Sequence, residues 1–126
     1  MTYKKWSLVK LFNSFMFASR GVVNLLKSEQ NARIHIIFAI VVATLAYILS
    51  ITRLEAIILF FAVTLVIAME IINTAIEKLL DIVQPEQSKS VEFIKDAMAG
   101  AVLIASIIAL VVTILIFLPY FSKLAA

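Results

Sequence analysis

The residues best suited to chemistry form one polar stripe in an otherwise apolar part of the chain. Glu70, Asn73, Glu77 and Asp81 are separated by three, four and four residues. On a regular helix this spacing places the four side chains within about 80° of arc. A charged side chain at the centre of a membrane helix costs about 2.5–3.5 kcal/mol, so such a residue needs a partner or a use. The stripe therefore predicts a functional site. The alternative is a role in helix packing, with Asn73 hydrogen-bonded across the bundle and the outer acids hydrated at the membrane interface.

Acids elsewhere in the chain extend this site. Carboxylate oxygens such as those of Glu29 and Glu77 are preferred ligands of Mg²⁺, which usually keeps water and substrate phosphates as its other ligands. Lys95, beside Asp96, would neutralise phosphate charge, although a snorkelling interfacial lysine is an equal alternative. Glu70 is the deepest of the acids, so we expect it to accept a proton from a lipid hydroxyl. These residues predict a nucleotide–metal site beside the membrane.

The composition shows which elements must position these side chains. Of the 126 residues, 63% are apolar, above the roughly 45–50% of soluble domains. Long uncharged stretches at 36–52, 56–69 and 97–122 predict an all-α integral membrane protein with three transmembrane helices. Apolar residues on one arc, from Val9 to Val23, predict an amphipathic surface helix before them.

The predicted organisation is a single membrane domain over residues 1–126. Its parts are a surface helix at about 5–28, spans at about 34–51, 54–81 and 94–119, and a loop at about 82–93 containing Pro85. Thr52 and Glu55 have the spacing of a capping box, which predicts a tight reversal and a new helix between the first two spans.

Several classes of function are excluded by the residues that are missing. The chain has no Cys and a single histidine, His35, which excludes disulfide, thiolate and His-rich zinc chemistry. With only two glycines it has no glycine-rich phosphate loop. A net charge of +3 that is sorted by membrane side does not favour a nucleic-acid partner.

Basic residues predict the orientation in the membrane. Nine of the eleven Lys and Arg residues precede the first span or flank the loop around Pro85, and only Arg53 and Lys123 lie on the other side. By the positive-inside rule, the N-terminus and the acids of the site face the cytoplasm. We therefore expect a multi-pass protein of the bacterial cytoplasmic (inner) membrane.

Small residues recur at every fourth position of the third span, at Ala97, Ala101, Ala105 and Ala109. Such a ridge allows helices to approach closely. Three short helices can scarcely enclose both a nucleotide and a lipid, so a homo-oligomer with shared sites is expected.

The segment from Glu70 to Asp81 resembles the signature of the small integral-membrane prokaryotic diacylglycerol kinases, a family that includes undecaprenol kinases. Glu29 with Arg33, and Lys95-Asp96 followed by residues 100–103, fall at the family's distances, so the resemblance covers nearly the whole chain. It implies a homotrimer that transfers the γ-phosphate of Mg-ATP to a membrane lipid alcohol.

The resemblance also implies individual roles. Glu70 would be the catalytic base, and Glu29 and Glu77 would hold the metal. The remaining residues would support the site or contact the nucleotide, and they are Lys10, Asn73, Asp81, Glu86, Lys95 and Asp96. Lys10 stands where the family often has Arg, and Gln87-Ser88 replaces an aromatic-His pair.

The lipid acceptor is open at this point. Diacylglycerol, giving phosphatidic acid, is the preferred prediction. Undecaprenol is the alternative because the Arg33-Ile34-His35 run is similar to members that prefer it. A more distant alternative is a small ion-coupled transporter, in which a membrane carboxylate binds the driving cation.

Overall fold

The structure is a computed structural model that describes residues 6–126, and throughout this range the regular structure is helical. Its four helices are α1 (Leu8–Ser28), α2 (Gln30–Ile48), α3 (Arg53–Val83) and α4 (Lys89–Ala125). The predicted all-α class is confirmed. The predicted start of the surface helix, at about residue 5, lies outside the described residues.

Helices α1 and α2 meet at an elbow of one residue, Glu29. The backbone of Glu29 is extended, with φ −111° and ψ 120°, so it ends α1 and begins α2. Its N–H donates to the carbonyl of Leu25 at 2.8 Å. The Arg33 guanidinium reaches back from α2 and donates from Nη1 to the carbonyls of Leu26 at 3.2 Å and Lys27 at 3.1 Å. These bonds satisfy the last carbonyls of α1 and fix the elbow that holds Glu29.

The reversal between α2 and α3 is equally tight. Ser50 has φ 51°, in the left-handed region that often ends a helix. Thr52 then caps α3, because its hydroxyl accepts from the Glu55 N–H at 3.2 Å while the Glu55 carboxylate accepts from the Thr52 N–H at 2.9 Å. The capping box predicted from the sequence is confirmed.

The third and fourth helices form the most extensive packing contact. Ala105 and Ala109 of α4 are buried in one cluster with Ala62 and Val66 of α3. Their small side chains allow the two backbones to approach closely. We call this contact the α3–α4 seam. Ala97 is exposed, so only the later half of the predicted alanine ridge packs within one chain.

The helices suit a lipid environment. Within residues 6–126, α2, α3 and α4 are long and apolar enough to cross a membrane. Large apolar side chains along them, such as Ile40, Phe61 and Leu115, are more than half exposed. In a bilayer these side chains face acyl chains, where exposure carries no penalty. Helix α4 begins earlier than the predicted third span, because the Ser88 hydroxyl accepts from the Val91 N–H and caps it.

Candidate active site

A carboxylate is buried near the middle of α3. Glu70 lies on α3 and is only 3% exposed, although its helix is apolar on both sides of it in sequence. Asn73 and Thr74, one turn further along α3, are also buried. Burial of a charged group demands compensation, so the surroundings of Glu70 decide whether this position is functional.

A small crevice lies beside Glu70, where α1, α2 and α3 meet. Its volume is about 10 Å³, and its walls are apolar side chains such as Leu25, Ile36 and Ile67 together with His35 and Glu70. A space of this size accommodates about one water molecule or one hydroxyl group. The single imidazole of the chain and its buried carboxylate therefore belong to residues that line the same small, apolar-walled crevice.

Two further carboxylates surround Glu70. The side chains of Glu29 and Glu77 are close enough to act electrostatically on Glu70, as is that of His35. Glu29 reaches the group from the α1–α2 elbow, and its Oε1 lies 3.9 Å from the Nζ of Lys78 on α3. The predicted base and the two predicted metal ligands therefore lie in the same region of the structure, each ligand within electrostatic range of the base.

Asn73 links this carboxylate group along α3. Its Nδ2 donates to Oε1 of Glu77 at 3.4 Å. Its Oδ1 is buried and has no hydrogen-bond partner among the described residues. A buried acceptor without a partner costs free energy unless a ligand, an ion or water satisfies it. Asn73 is therefore placed to receive a group that is supplied from outside the chain.

The end of α3 and the start of α4 carry other residues of the predicted site. Lys95 Nζ donates to Asp81 Oδ1 at 2.9 Å, which ties the two helices together. Lys95 and Asp96 also line an open concavity of about 470 Å³ at the start of α4, with Gln87 and Ser88 at its edge. Ligand pockets are typically about 300–1,000 Å³, so this concavity is large enough for a nucleotide group.

The donor set fits magnesium. No group of three or more His, Asp or Glu residues within 6–126 is arranged to hold a metal ion by itself. Mg²⁺ does not require such a group, because it commonly binds one or two carboxylates and takes its other ligands from phosphates and water. Glu29 and Glu77 supply that number of carboxylates, and Asn73, which donates to Glu77 through Nδ2, has its Oδ1 unpaired among the described residues.

Two predicted site residues are not brought into this cluster. Lys10 is exposed on α1, and Glu86 is exposed in the segment between α3 and α4. Neither side chain forms a hydrogen bond or an ion pair with another residue in the part of the chain that the structure describes. Their predicted contacts with nucleotide stay predictions.

Other contacts were missed by the sequence analysis. His35 entered the sequence analysis as a poor zinc ligand and as part of the Arg33-Ile34-His35 run, and the structure places it in the wall of the crevice with Glu70. Lys78 was counted only for topology, and it pairs with Glu29. Tyr120, to which no chemistry was assigned, donates its hydroxyl to Oε2 of Glu55 at 2.6 Å. All three contacts join distant parts of the chain, so the sequence carried no local signal for them.

Comparison with known proteins identifies a family that this chain matches. Residues 16–117 match the family model of prokaryotic diacylglycerol kinases. The chain is 31% identical over 112 residues to an undecaprenol kinase from Bacillus subtilis (strain 168), covering 89% of this chain and 91% of that protein.

Two relatives that are named diacylglycerol kinases are similarly distant. One, from Synechocystis sp. (strain ATCC 27184 / PCC 6803 / Kazusa), is 34% identical over 86% of this chain and 63% of its own length. The other, from Haemophilus influenzae (strain ATCC 51907 / DSM 11121 / KW20 / Rd), is 30% identical over 82% of this chain and 87% of its own length.

The chain belongs to the prokaryotic diacylglycerol kinase family. It is a lipid kinase and a multi-pass membrane protein. The resemblance stated from the Glu70–Asp81 segment is confirmed.

Proposed function

We propose that this lipid kinase transfers the γ-phosphoryl group of Mg-ATP to the hydroxyl group of a membrane lipid alcohol. The observation that carries the proposal is the buried carboxylate of Glu70, which lines a crevice of hydroxyl size and has Glu29 and Glu77 within electrostatic range. A general base in an apolar crevice, near carboxylates that could hold a metal, suits an acceptor that arrives through the bilayer.

Glu70 acts as the general base in this mechanism. The acceptor oxygen forms a bond to the γ-phosphorus while the bond from that phosphorus to the bridging oxygen of ADP breaks. The hydroxyl proton passes to the carboxylate of Glu70, and ADP leaves with the bridging oxygen. A positioned base typically contributes about 10²–10⁴-fold to the rate.

Glu29 and Glu77 hold the magnesium that accompanies ATP. The ion, when bound, neutralises charge on the transferring phosphoryl group. Asn73 orients Glu77 through its 3.4 Å hydrogen bond and offers Oδ1 to the bound group. Lys78, at 3.9 Å from Glu29, limits the repulsion between neighbouring carboxylates.

The nucleotide binds at the water-exposed ends of α3 and α4 in this proposal. Lys95 and Asp96 line the concavity at the start of α4, and Asp81 orients Lys95 through their 2.9 Å contact. Phosphoryl transfer depends mainly on positioning and charge neutralisation, which a lysine oriented in this way can supply. Lys10 and Glu86 complete the nucleotide contacts.

The assembly and location follow the sequence analysis. The enzyme is a homotrimer in the bacterial cytoplasmic membrane, with α1 as an amphipathic surface helix and the active site on the cytoplasmic side. The excess of basic residues at that side supports the orientation. The open concavity on a single chain supports a site that a neighbouring subunit completes.

Diacylglycerol is the preferred acceptor in this proposal, and undecaprenol is the alternative. Both are lipid alcohols. One relative of this chain is named an undecaprenol kinase, and two are named diacylglycerol kinases. The chemistry at Glu70 is the same for both.

The proposal is tested with purified protein in mixed micelles, Mg-ATP labelled at the γ-phosphate, and each acceptor in turn. We expect label in a lipid, and a loss of about 10²–10⁴-fold in kcat for Glu70→Gln. Glu55→Gln, at the other end of the same helix, is the matched control and should retain activity. An unlabelled lipid fraction from the wild type, or a fully active Glu70→Gln enzyme, would refute the proposal.

A further inference from the structure

Within residues 6–126, a single ammonium group contacts the carboxylates of Glu29, Glu70 or Glu77. It belongs to Lys78 of α3, and its Nζ lies 3.9 Å from Oε1 of Glu29 at the α1–α2 elbow. In the same part of the chain, the Glu29 carboxylate accepts no hydrogen bond. One of the two carboxylates that could hold a metal ion therefore has this lysine as its polar partner.

The ion pair between Lys78 and Glu29 is loose. Its separation of 3.9 Å exceeds the 2.9 Å between Lys95 and Asp81, a distance typical of a charge-assisted hydrogen bond. The Lys78 side chain is 63% exposed. A lysine carries a compact, strongly hydrated charge on a flexible stem, so its ammonium group can exchange a carboxylate for water. Lys78 can therefore leave Glu29 by rotation of its side chain alone.

The same region contains a buried acceptor that needs a partner. Asn73 is 9% exposed, and its Oδ1 has no hydrogen-bond partner among the described residues. Its Nδ2 donates to Glu77, the other carboxylate that could hold the metal. Glu29 and Glu77 both lie within electrostatic range of Glu70. Neighbouring carboxylates repel one another, so a cation among them is favourable whether or not magnesium is bound.

We infer that Lys78 is the resident counter-ion of the metal site and that it exchanges Glu29 for a phosphate oxygen when Mg-ATP binds. Magnesium and an ammonium group on the same carboxylate repel each other, so the ion displaces Lys78. Magnesium takes substrate phosphates among its ligands, which brings negative charge close to the released ammonium group. Lys78 thereby favours the metal–nucleotide complex over the free ion. This inference rests on the proposed function and adds a residue that controls how the metal enters.

A purely structural role for Lys78 is the alternative, in which the ion pair ties α3 to the elbow and holds Glu29 in place. The elbow is already fixed by the two hydrogen bonds from Arg33, which favours the role of counter-ion. The two roles predict opposite results when Lys78 loses its charge. A structural tie predicts weaker binding of a free metal ion, whereas a competing counter-ion predicts tighter binding.

The experiment measures metal binding without nucleotide or acceptor. Mn²⁺ replaces Mg²⁺ as the probe, and electron paramagnetic resonance reports the free ion beside purified protein in mixed micelles. Lys78→Met removes the charge, and Lys78→Arg keeps it. Lys27→Met is the matched control, because Lys27 is exposed in the last turn of α1 and forms no ion pair among the described residues. KM for Mg-ATP is measured on the same samples.

We expect Lys78→Met to bind free Mn²⁺ about two- to fivefold more tightly, the range that an exposed ion pair can supply. Lys78→Arg and Lys27→Met should match the wild type. KM for Mg-ATP should rise in Lys78→Met, because a triphosphate carries more negative charge than one carboxylate and loses its contact with the ammonium group. A loss of structure would weaken both kinds of binding, so opposite shifts from one substitution identify the exchange.

Several results would overturn the inference. Unchanged or weaker Mn²⁺ binding by Lys78→Met would remove the competition at Glu29. Equally tight binding by Lys27→Met or Lys78→Arg would show that the effect does not come from the Lys78 charge. A KM for Mg-ATP that does not rise would remove the contact with phosphate.

Two results separate this inference from the proposed function. A wild type and a Lys78→Met variant that both leave the Mn²⁺ signal unchanged would overturn the metal site and the inference together. A wild type that binds Mn²⁺ and phosphorylates neither acceptor would contradict the proposed lipid phosphorylation, while the Mn²⁺ measurement would still decide whether Lys78 competes for Glu29.

Discussion

The α3–α4 seam gives the sharpest test of how packing supports the site. Ala109 is 2% exposed and Ala105 is 3% exposed, and both pack against Ala62 and Val66. Ala109→Leu inserts a branched side chain where the backbones already approach closely. Overpacking of a well-packed core costs about 1–3 kcal/mol, and we expect the free energy of unfolding to fall by this amount. Because Met69, the neighbour of Glu70, packs on the same cluster, kcat should fall too.

The assay is unfolding by added SDS in mixed micelles, followed by near-UV circular dichroism, with activity measured on the same samples. Ala97→Leu is the control, since Ala97 lies on the same helix and is exposed. It should unfold at the wild-type SDS fraction and retain activity. Equal midpoints for Ala109→Leu and Ala97→Leu would show that the two helices do not depend on this close approach.

Three further variants test individual contacts. Lys95→Met should lower kcat/KM for ATP by more than about tenfold, because the proposal places Lys95 at the phosphates of the nucleotide. Loss of its exposed ion pair with Asp81 alone would be worth only about 0–1 kcal/mol, at most about fivefold. Arg33→Gln should raise the Mg²⁺ concentration for half-maximal activity, since the elbow that holds Glu29 loses two hydrogen bonds, and Arg33→Lys should restore part of the effect. Tyr120→Phe should speed amide hydrogen exchange around the α3 capping box, which loses its 2.6 Å hydrogen bond, without changing kcat.

For each of these three variants, one outcome would contradict the prediction. A loss below about fivefold for Lys95→Met would restrict Lys95 to its pair with Asp81. An unchanged Mg²⁺ dependence for Arg33→Gln would show that Glu29 is held by other contacts. Unaltered exchange in Tyr120→Phe, measured by mass spectrometry, would show that the capping box needs no support from α4.

The local parts of this architecture could be predicted from the sequence. The spacing of Glu70, Asn73 and Glu77 determines one face of a helix, because helical periodicity depends only on neighbouring residues. The capping box of Thr52 and Glu55 is local for the same reason, and its two hydrogen bonds are present.

The parts that depend on distant contacts could not be predicted. The position of His35 beside Glu70 depends on the elbow at Glu29, and the extended backbone of one residue sets that elbow. The hydrogen bond from Tyr120 to Glu55 joins residues 65 positions apart. Neither contact has a periodic signature. The alanine ridge likewise predicted close packing without showing that Ala105 and Ala109, and not Ala97, provide it.

The lengths of the two longest helices have a consequence for how the substrates meet. Helices α3 and α4 contain 31 and 37 residues, or about 46 and 56 Å, against a hydrocarbon core of about 30 Å. Both helices are therefore longer than the hydrocarbon core is thick. The hydrogen bond from Lys95 to Asp81 joins them where α3 ends and α4 begins. A lipid alcohol dissolves in the bilayer, whereas a highly charged triphosphate dissolves in water. Under the proposed function, this helix pair would let each substrate remain in its own phase while the reacting atoms meet at the membrane surface.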